Sequence, residues 1–241
     1  MTTHESESAF HYAGRDLEAM SFAENYHSWI LAEFRPYLGA IVAEIGAGSG
    51  NVATMLLRQG VSHLIAVEPS AEMYPLLREH FGSHPRVTTH QGFWSEIHSK
   101  YSEALDSLVY VNVLEHIRDD SQELTYAMQS LKPGGHLCLF VPALPWLYSR
   151  FDASVGHHRR YEKEALRDLL EGAAFDVVRL RYMDSLGILP WFFMMKLLER
   201  ELSPWSVRLY DRWVVPALRS LESRVEVPIG KNLLAVARKP T

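Results

Sequence analysis

The stretch that most constrains the fold is Glu44-Ile45-Gly46-Ala47-Gly48-Ser49-Gly50. A short apolar run over 40–45 leads into glycines at every second position, and a helical pattern over 51–59 follows. Glycine tolerates positive φ and lets a ligand approach the backbone. The first N–H groups of the next helix have no partner inside it. A strand handing over to a helix through such a turn points to crossover connections and a parallel sheet.

The rest of the chain repeats this alternation. Periodicity predicts strands over 40–45, 63–67, 86–90, 105–111 and 135–141, with helices over 51–59, 70–80 and 121–131 between them. Gly60 suits a helix C-terminus and Ser70 an N-cap. A helix over 15–37 comes first, with Pro36 near its end, and 132–135 reads as a turn. Beyond 141 the pattern is an irregular aromatic and basic stretch over 142–161, a helix over 162–171 and a strand over 175–182. An amphipathic helical stretch over 184–228 and a closing strand over 233–238 complete it. The class implied is α/β: a doubly wound, mostly parallel seven-stranded sheet with an N-terminal helical lid and a C-terminal helical insertion. No repeat or low-complexity linker divides the chain, so 1–241 reads as one domain: lid 15–38, core 40–141, insertions 142–161 and 184–228.

Composition narrows the class. Cys138 is the one cysteine, inside the apolar run 137–141, so no internal disulfide forms and a buried small hydrophobe is expected. No window holds 18 consecutive apolar residues, and the acidic start at 4–8 lacks a basic-then-apolar leader. A cytoplasmic protein is expected. Residues 1–149 carry 8 Lys and Arg against 17 Asp and Glu, whereas 150–241 carry 16 against 12. The acidic body argues against a nucleic-acid substrate.

Two ligand classes use such a glycine turn. A dinucleotide wants a third glycine or alanine where this chain has Asn51. Glu68, ending the second strand, can accept both hydroxyl hydrogens of a ribose. The loop therefore asks for a nucleoside-like ligand without a pyrophosphate, a profile that S-adenosylmethionine (SAM) meets.

The run Glu44–Gly50 resembles the first motif of class I SAM-dependent methyltransferases. Val67-Glu68-Pro69-Ser70 with Met73 resembles their second, Val111-Asn112-Val113-Leu114-Glu115-His116 the motif of the fourth strand, and Leu131-Lys132-Pro133-Gly134-Gly135 the turn before the fifth. The resemblance covers about 40–141 and extends to a bacterial subgroup with a similar loop after the fifth strand. It implies a Rossmann-like fold and SAM as cofactor, with S-adenosylhomocysteine (SAH) as product. It also implies cofactor contacts from Glu44, Gly46, Ala47, Gly48, Asn51, Glu68, Pro69, Met73, Gly92, Phe93, Trp94, Asn112 and Val113. No acid stands at 93 for the adenine amino group, so backbone or ring contacts at Phe93 and Trp94 would substitute.

Methyl transfer from a sulfonium needs alignment and exclusion of water more than acid–base groups. The acceptor side should lie at the carboxyl ends of the strands. His157, Tyr148 and Asn112 are the expected catalytic residues. Tyr26, His116, Trp146, Tyr148, Arg159, Arg160 and Tyr161 are expected to meet the acceptor, His157 as base, the two arginines as an anion clamp and the aromatic rings as walls. Capping or structural roles are the plain alternative for His116 and for the Arg-Tyr run. Tyr12 and Met20 join Tyr26 as lid candidates. No His, Cys, Asp or Glu cluster has metal-ligand spacing, so no metal is expected.

The stretch 186–221 is dense in large apolar groups interleaved with Arg208, Arg212 and Arg219. It reads first as a helical cap on the sheet or on the partner of a homodimer. It also reads as an interfacial surface at the inner face of a membrane, or as the wall for a lipid-like or other small-molecule acceptor. Two rival functions stay open at this point: an NAD(P)-dependent oxidoreductase, and a non-catalytic SAM- or SAH-binding module.

Overall fold

The computed structural model describes residues 23–199 and 203–241. The part of the first expected helix before residue 23, which includes Met20, lies outside the described residues, as does Tyr12. Helix α1 (Glu24–Phe34) buries Tyr26, Trp29, Ile30, Leu31 and Phe34. The methyl of Ala23 at the N-cap cannot accept a hydrogen bond. The cap comes from far along the chain: Asp211 accepts from the amides of Asn25 (3.1 Å) and Tyr26 (2.8 Å).

The core alternates as expected: β1 (Ile41–Ile45), α2 (Asn51–Arg58), β2 (His63–Glu68), α3 (Tyr74–Phe81), β3 (Val87–Gln91), α4 (Trp94–Ile97), β4 (Leu105–Val111), α5 (Asp120–Ser130) and β5 (Leu131–Pro142). After β5 come α6 (Arg150–Ser154), α7 (Lys163–Gly172), β6 (Asp176–Met183), the helical insertion with α8 (Pro204–Leu209) and α9 (Val215–Glu222), and β7 (Asn232–Arg238). The seven strands form one sheet in the order β3-β2-β1-β4-β5-β7-β6. The first five pair in parallel, and β7 runs antiparallel between β5 and β6. Alternate side chains face opposite cores: Val42, Leu64, Ala66 and Phe140 on one face, Ala43, Ile45, Ile65 and Leu139 on the other. That two-sided burial explains the unbroken apolar runs. The chain reverses its winding between β1 and β4, which opens a crevice at their carboxyl ends.

Local departures have local causes. Helix α3 starts at Tyr74 because Ser70 Oγ first caps a turn, accepting from the amides of Glu72 and Met73. Strand β5 already begins at Leu131. The expected turn at 132–135 is taken up as a register shift, between the Leu105–Leu131 and Ser107–His136 pairs. The loop after β5 contains α6, started by a reciprocal cap between Ser149 and Asp152. The insertion is helical, but Trp191–Leu197 and Tyr210–Val214 are wound as wider π-helix. No helix among the described residues is long and apolar enough to cross a membrane.

Candidate active site

The glycine loop sits at the end of β1. Gly46 has φ 72° and Gly48 φ 55°. A Cβ built on Gly46 would stand 2.5 Å from Val113 Cγ2, so loop and β4 approach through the missing side chain. The amides of Gly46 (2.9 Å) and Ala47 (3.0 Å) donate to the Val67 carbonyl, fastening the loop to β2. The Gly48 amide donates to Glu68 Oε2 at 2.7 Å, and the Ser70 amide to Oε1 at 2.8 Å. These amides thus grip a carboxylate of the chain itself, where a dinucleotide fold would offer them to phosphate.

Glu44 and Glu68 are both buried. Burial pushes the carboxyl of Glu44 well up, and the nearby Glu68 adds to it. Glu68 is also raised by burial, against the opposing pull of the Ser70 and Gly48 amides. Glu44 Oε2 has no hydrogen-bond partner. A buried acceptor without a partner marks a place for a donor. Pro69 and Met73 are half-buried beside this acid, and Asn51 is exposed at the first turn of α2.

At the end of β3 one expectation is corrected. Trp94 is buried at 1% exposure and stacks on Tyr101 with ring centroids 5.7 Å apart, so its indole belongs to the core and not to the adenine rim. Gly92 is half-buried and Phe93 is exposed. Glu96, which the sequence reading passed over, receives the Phe93 amide on Oε2 at 2.9 Å. Its signal was weak, because Phe93 stands where a capping box has Ser or Thr and only the glutamate half of that motif is present.

Asn112 follows β4 with φ 54°, its amide donating to the Phe140 carbonyl at 2.8 Å. Next to it, the turn 114–116 after β4 and the loop after α6 bring Glu115 and His116 together with His157. His157 Nδ1 lies 2.9 Å from Asp152 Oδ1, and its Nε2 lies 3.8 Å from Glu115 Oε1. The rings of His116 and His157 meet edge to face at 4.6 Å. Burial raises Glu115 to about 7, outweighing His157. Burial, with His157 next, lowers His116 to about 3. Glu115, His116 and His157 offer one ligand atom each within 4.8 Å of one another. The expectation that the chain has no metal-type cluster is corrected here: residues 41 positions apart are joined by the loop after β5, which linear spacing cannot reveal.

Other acceptor-side expectations need correction too. Arg160 is no free anion clamp: it is buried, bonded to Asp152 Oδ1 at 2.9 and 2.8 Å and to the Ala143 carbonyl at 3.2 Å, and covered by Trp191. Burial works to raise Asp152, but His157 and Arg160 overcome it and hold the carboxyl low. Arg159 pairs with Asp120 and the Arg118 carbonyl. Tyr161 is buried and donates to Asp120 at 2.9 Å, and Tyr148 donates to the His157 carbonyl at 2.6 Å. These polar ends build the loop, because a buried guanidinium or hydroxyl must find partners. Trp146 is exposed, with Phe192 against it and Lys196 bonded to its carbonyl. Tyr26 is buried, donating to Asp184 at 3.0 Å and accepting from Asn232 at 2.6 Å at the carboxyl edge of the sheet. Asp184 also takes Tyr210, Gly187 and Lys231, tying the insertion to the body.

Sheet order, glycine loop and acid-ended β2 define a class I methyltransferase architecture. A family model described as "Methyltransferase domain" matches residues 15–180. A search of curated proteins gave no match. Among solved structures, a SAM-dependent methyltransferase from Archaeoglobus fulgidus is 16% identical, covering 93% of this chain and 99% of that one at TM-score 0.63. A methyltransferase in complex with the Trm112 activator of Haloferax volcanii is 16% identical over 97% and 98% at 0.65. Haemonchus contortus phosphoethanolamine N-methyltransferase 2, in complex with SAM, is 15% identical over 100% of this chain and 62% of that one, at 0.65. The chain belongs to the methyltransferase-domain family and is a SAM-dependent methyltransferase of class I. The nicotinamide reading falls with that.

Proposed function

We propose that the enzyme transfers the methyl group in line to an oxygen, carbon or nitrogen nucleophile of a small-molecule or lipid-like acceptor. The observation that carries the cofactor half is the pair of buried acids beside the glycine loop. Neither Glu44 nor Glu68 has a basic partner among the described residues, and Glu44 keeps an unpartnered oxygen. Two such carboxylates repel a pyrophosphate and suit a ligand that brings positive charge. When bound, SAM supplies a methyl group already activated on a cationic sulfur. In this reading Glu44 takes the ligand's ammonium. Glu68 takes the ribose diol on the lone pairs its two amides leave. Pro69 and Met73 flank the adenine, with Gly92 and Phe93 at its edge. Gly46, Ala47, Gly48, Asn51 and Val113 close around the amino-acid part, and Asn112 lies under the reacting carbon. His157, steered by Asp152, is the group that takes a proton from an acceptor that must lose one.

For the acceptor, support comes from the insertion. Val207, Val215 and Leu218 turn inward, yet Leu186, Leu189, Phe193, Leu197, Leu198, Leu209 and Leu221 stay exposed. Trp205 and Trp213 are 71% and 66% exposed. Such a surface suits an apolar acceptor delivered from the inner face of a membrane.

Isothermal titration with SAM and SAH tests the cofactor half. Binding should weaken by about 1.5–3 kcal/mol in Glu68→Ala, the scale for losing charge-assisted hydrogen bonds. Failure of the wild-type protein to bind either ligand would overturn it.

A further inference from the structure

The cluster after β4 holds a feature that methyl transfer does not explain. Glu115 is fully buried, and neither of its carboxylate oxygens has a hydrogen-bond partner. Buried carboxylates are ordinarily paired or bound to a metal, because an orphaned one bears the whole cost of desolvation. The near cation, Arg160, is committed to Asp152. Arg160 thus answers Asp152, and Glu115 faces only the edge of the His157 ring at 3.8 Å, a ring already bonded to Asp152.

We infer that Glu115, His116 and His157 form a binding site for a divalent transition-metal ion of the zinc type. Three points of geometry carry this. Each residue brings one ligand atom, and all three atoms lie within 4.8 Å of one another. Zinc bonded at about 2.0–2.2 Å in a tetrahedron sets its ligands about 3.4 Å apart. The His157 Nε2 to Glu115 Oε1 separation of 3.8 Å is already near that. Second, His157 is prepared as a ligand: Asp152 holds its Nδ1 at 2.9 Å, which leaves the Nε2 lone pair aimed at Glu115. A carboxylate–histidine–metal relay is the usual way such a ligand is oriented. Asp152 is itself fixed by Ser149 (2.9 and 2.8 Å) and Arg160, so the relay is rigid. Third, two histidines and one carboxylate are a donor set that zinc and non-haem iron sites use with a position left open. Hard cations such as Mg²⁺ prefer oxygen donors. With the ion bound, His157 Nε2 would be a ligand, so the proton-taking role given to it above belongs to the metal-free protein.

The test uses tag-free, chelator-treated full-length protein. Zn²⁺ binding is measured by calorimetry, and Co²⁺ is used as a visible-absorption probe. The expected result is one ion per chain with the intense visible bands of low-coordinate Co²⁺. Glu115→Gln and His157→Ala should each weaken binding about tenfold or more, and Asp152→Asn about 10–100-fold. Absence of Zn²⁺ and Co²⁺ binding by the wild-type protein would overturn the site. So would an affinity equal to wild type in both ligand variants, since the ion would then sit elsewhere. Should Glu115→Gln fail to fold, His116→Gln takes its place. SAM binding, titrated separately, should persist in the ligand variants, so the cofactor reading and the metal site stand or fall apart.

Discussion

At the residue scale the site is governed by what each buried polar group must find. Glu68 is held by Gly48 and Ser70, and that grip needs the loop to pass close to β4. Gly46→Ala should break this arrangement. Its left-handed backbone costs an ordinary residue about 1–2 kcal/mol. The new Cβ would also press on Val113 at 2.5 Å. SAM affinity should fall by about tenfold or more, corresponding to at least about 1.4 kcal/mol, as calorimetry would record. Glu123 gives a pH signature. It accepts from Tyr110 at 2.8 Å, yet burial raises its carboxyl to about 7. Because the folded value lies above the unfolded one, its stabilising share is complete below about pH 4.3 and is lost as pH climbs through 7. Urea unfolding should show a loss on the order of 3 kcal/mol across that window from this group. Glu123→Gln keeps an acceptor for Tyr110 and should flatten the fall. An identical slope in the variant would refute the assignment.

At the element scale the notable dependence is of α1 on the insertion. Helix α1 has no cap of its own, and Asp211, 185 residues away, supplies it through the Tyr26 amide. On the other side, Glu222 accepts from the amides of Asp184 (3.2 Å) and Ser185 (2.9 Å) at the end of β6. Lid helix, insertion and last strands are therefore one polar-bonded unit over the carboxyl edge. Asp211→Ala should cost about 2 kcal/mol, combining a lost cap with orphaned buried donors. Hydrogen exchange should speed up together in α1 and α8–α9 while β1–β5 stay protected. Faster exchange in α1 alone would show that the two do not act as a unit. The strands β1, β2, β4 and β5 were legible because burial on both faces leaves continuous apolar runs, whereas β3, half-exposed and polar, gave a weaker signal. The short helices α4 and α6 were not: four or five residues carry no periodicity, and their caps compete with turn readings.

At the scale of the whole molecule, an acidic 1–149 and a basic 150–241 would respond in opposite ways to an anionic membrane surface. The exposed Trp205 and Trp213 lie on the insertion, close in sequence to Arg208 and Arg212. Sedimentation with anionic liposomes at low salt should carry the protein down, and the bound fraction should drop as ionic strength rises. Trp205→Ser with Trp213→Ser should release it without altering SAM affinity. Failure to sediment at low salt would remove the membrane-borne acceptor and leave a water-borne one.

What the chain determines by itself is the part written in local pattern. Strand and helix periodicity, the glycine spacing and Glu68 at a strand end are contiguous, so they named the fold and the cofactor. Tertiary structure alone decided the rest. Arg160, Tyr161 and Tyr148 read as substrate groups but became supports of their own loop, because burial obliges each polar end to find a partner nearby. Glu115 and His157, 42 positions apart, became neighbours only when the loop after β5 folded back on the end of β4. Linear spacing registers what one helix or strand can present on a face. It does not register which loops the sheet order brings together, and that convergence is where the candidate metal site lies.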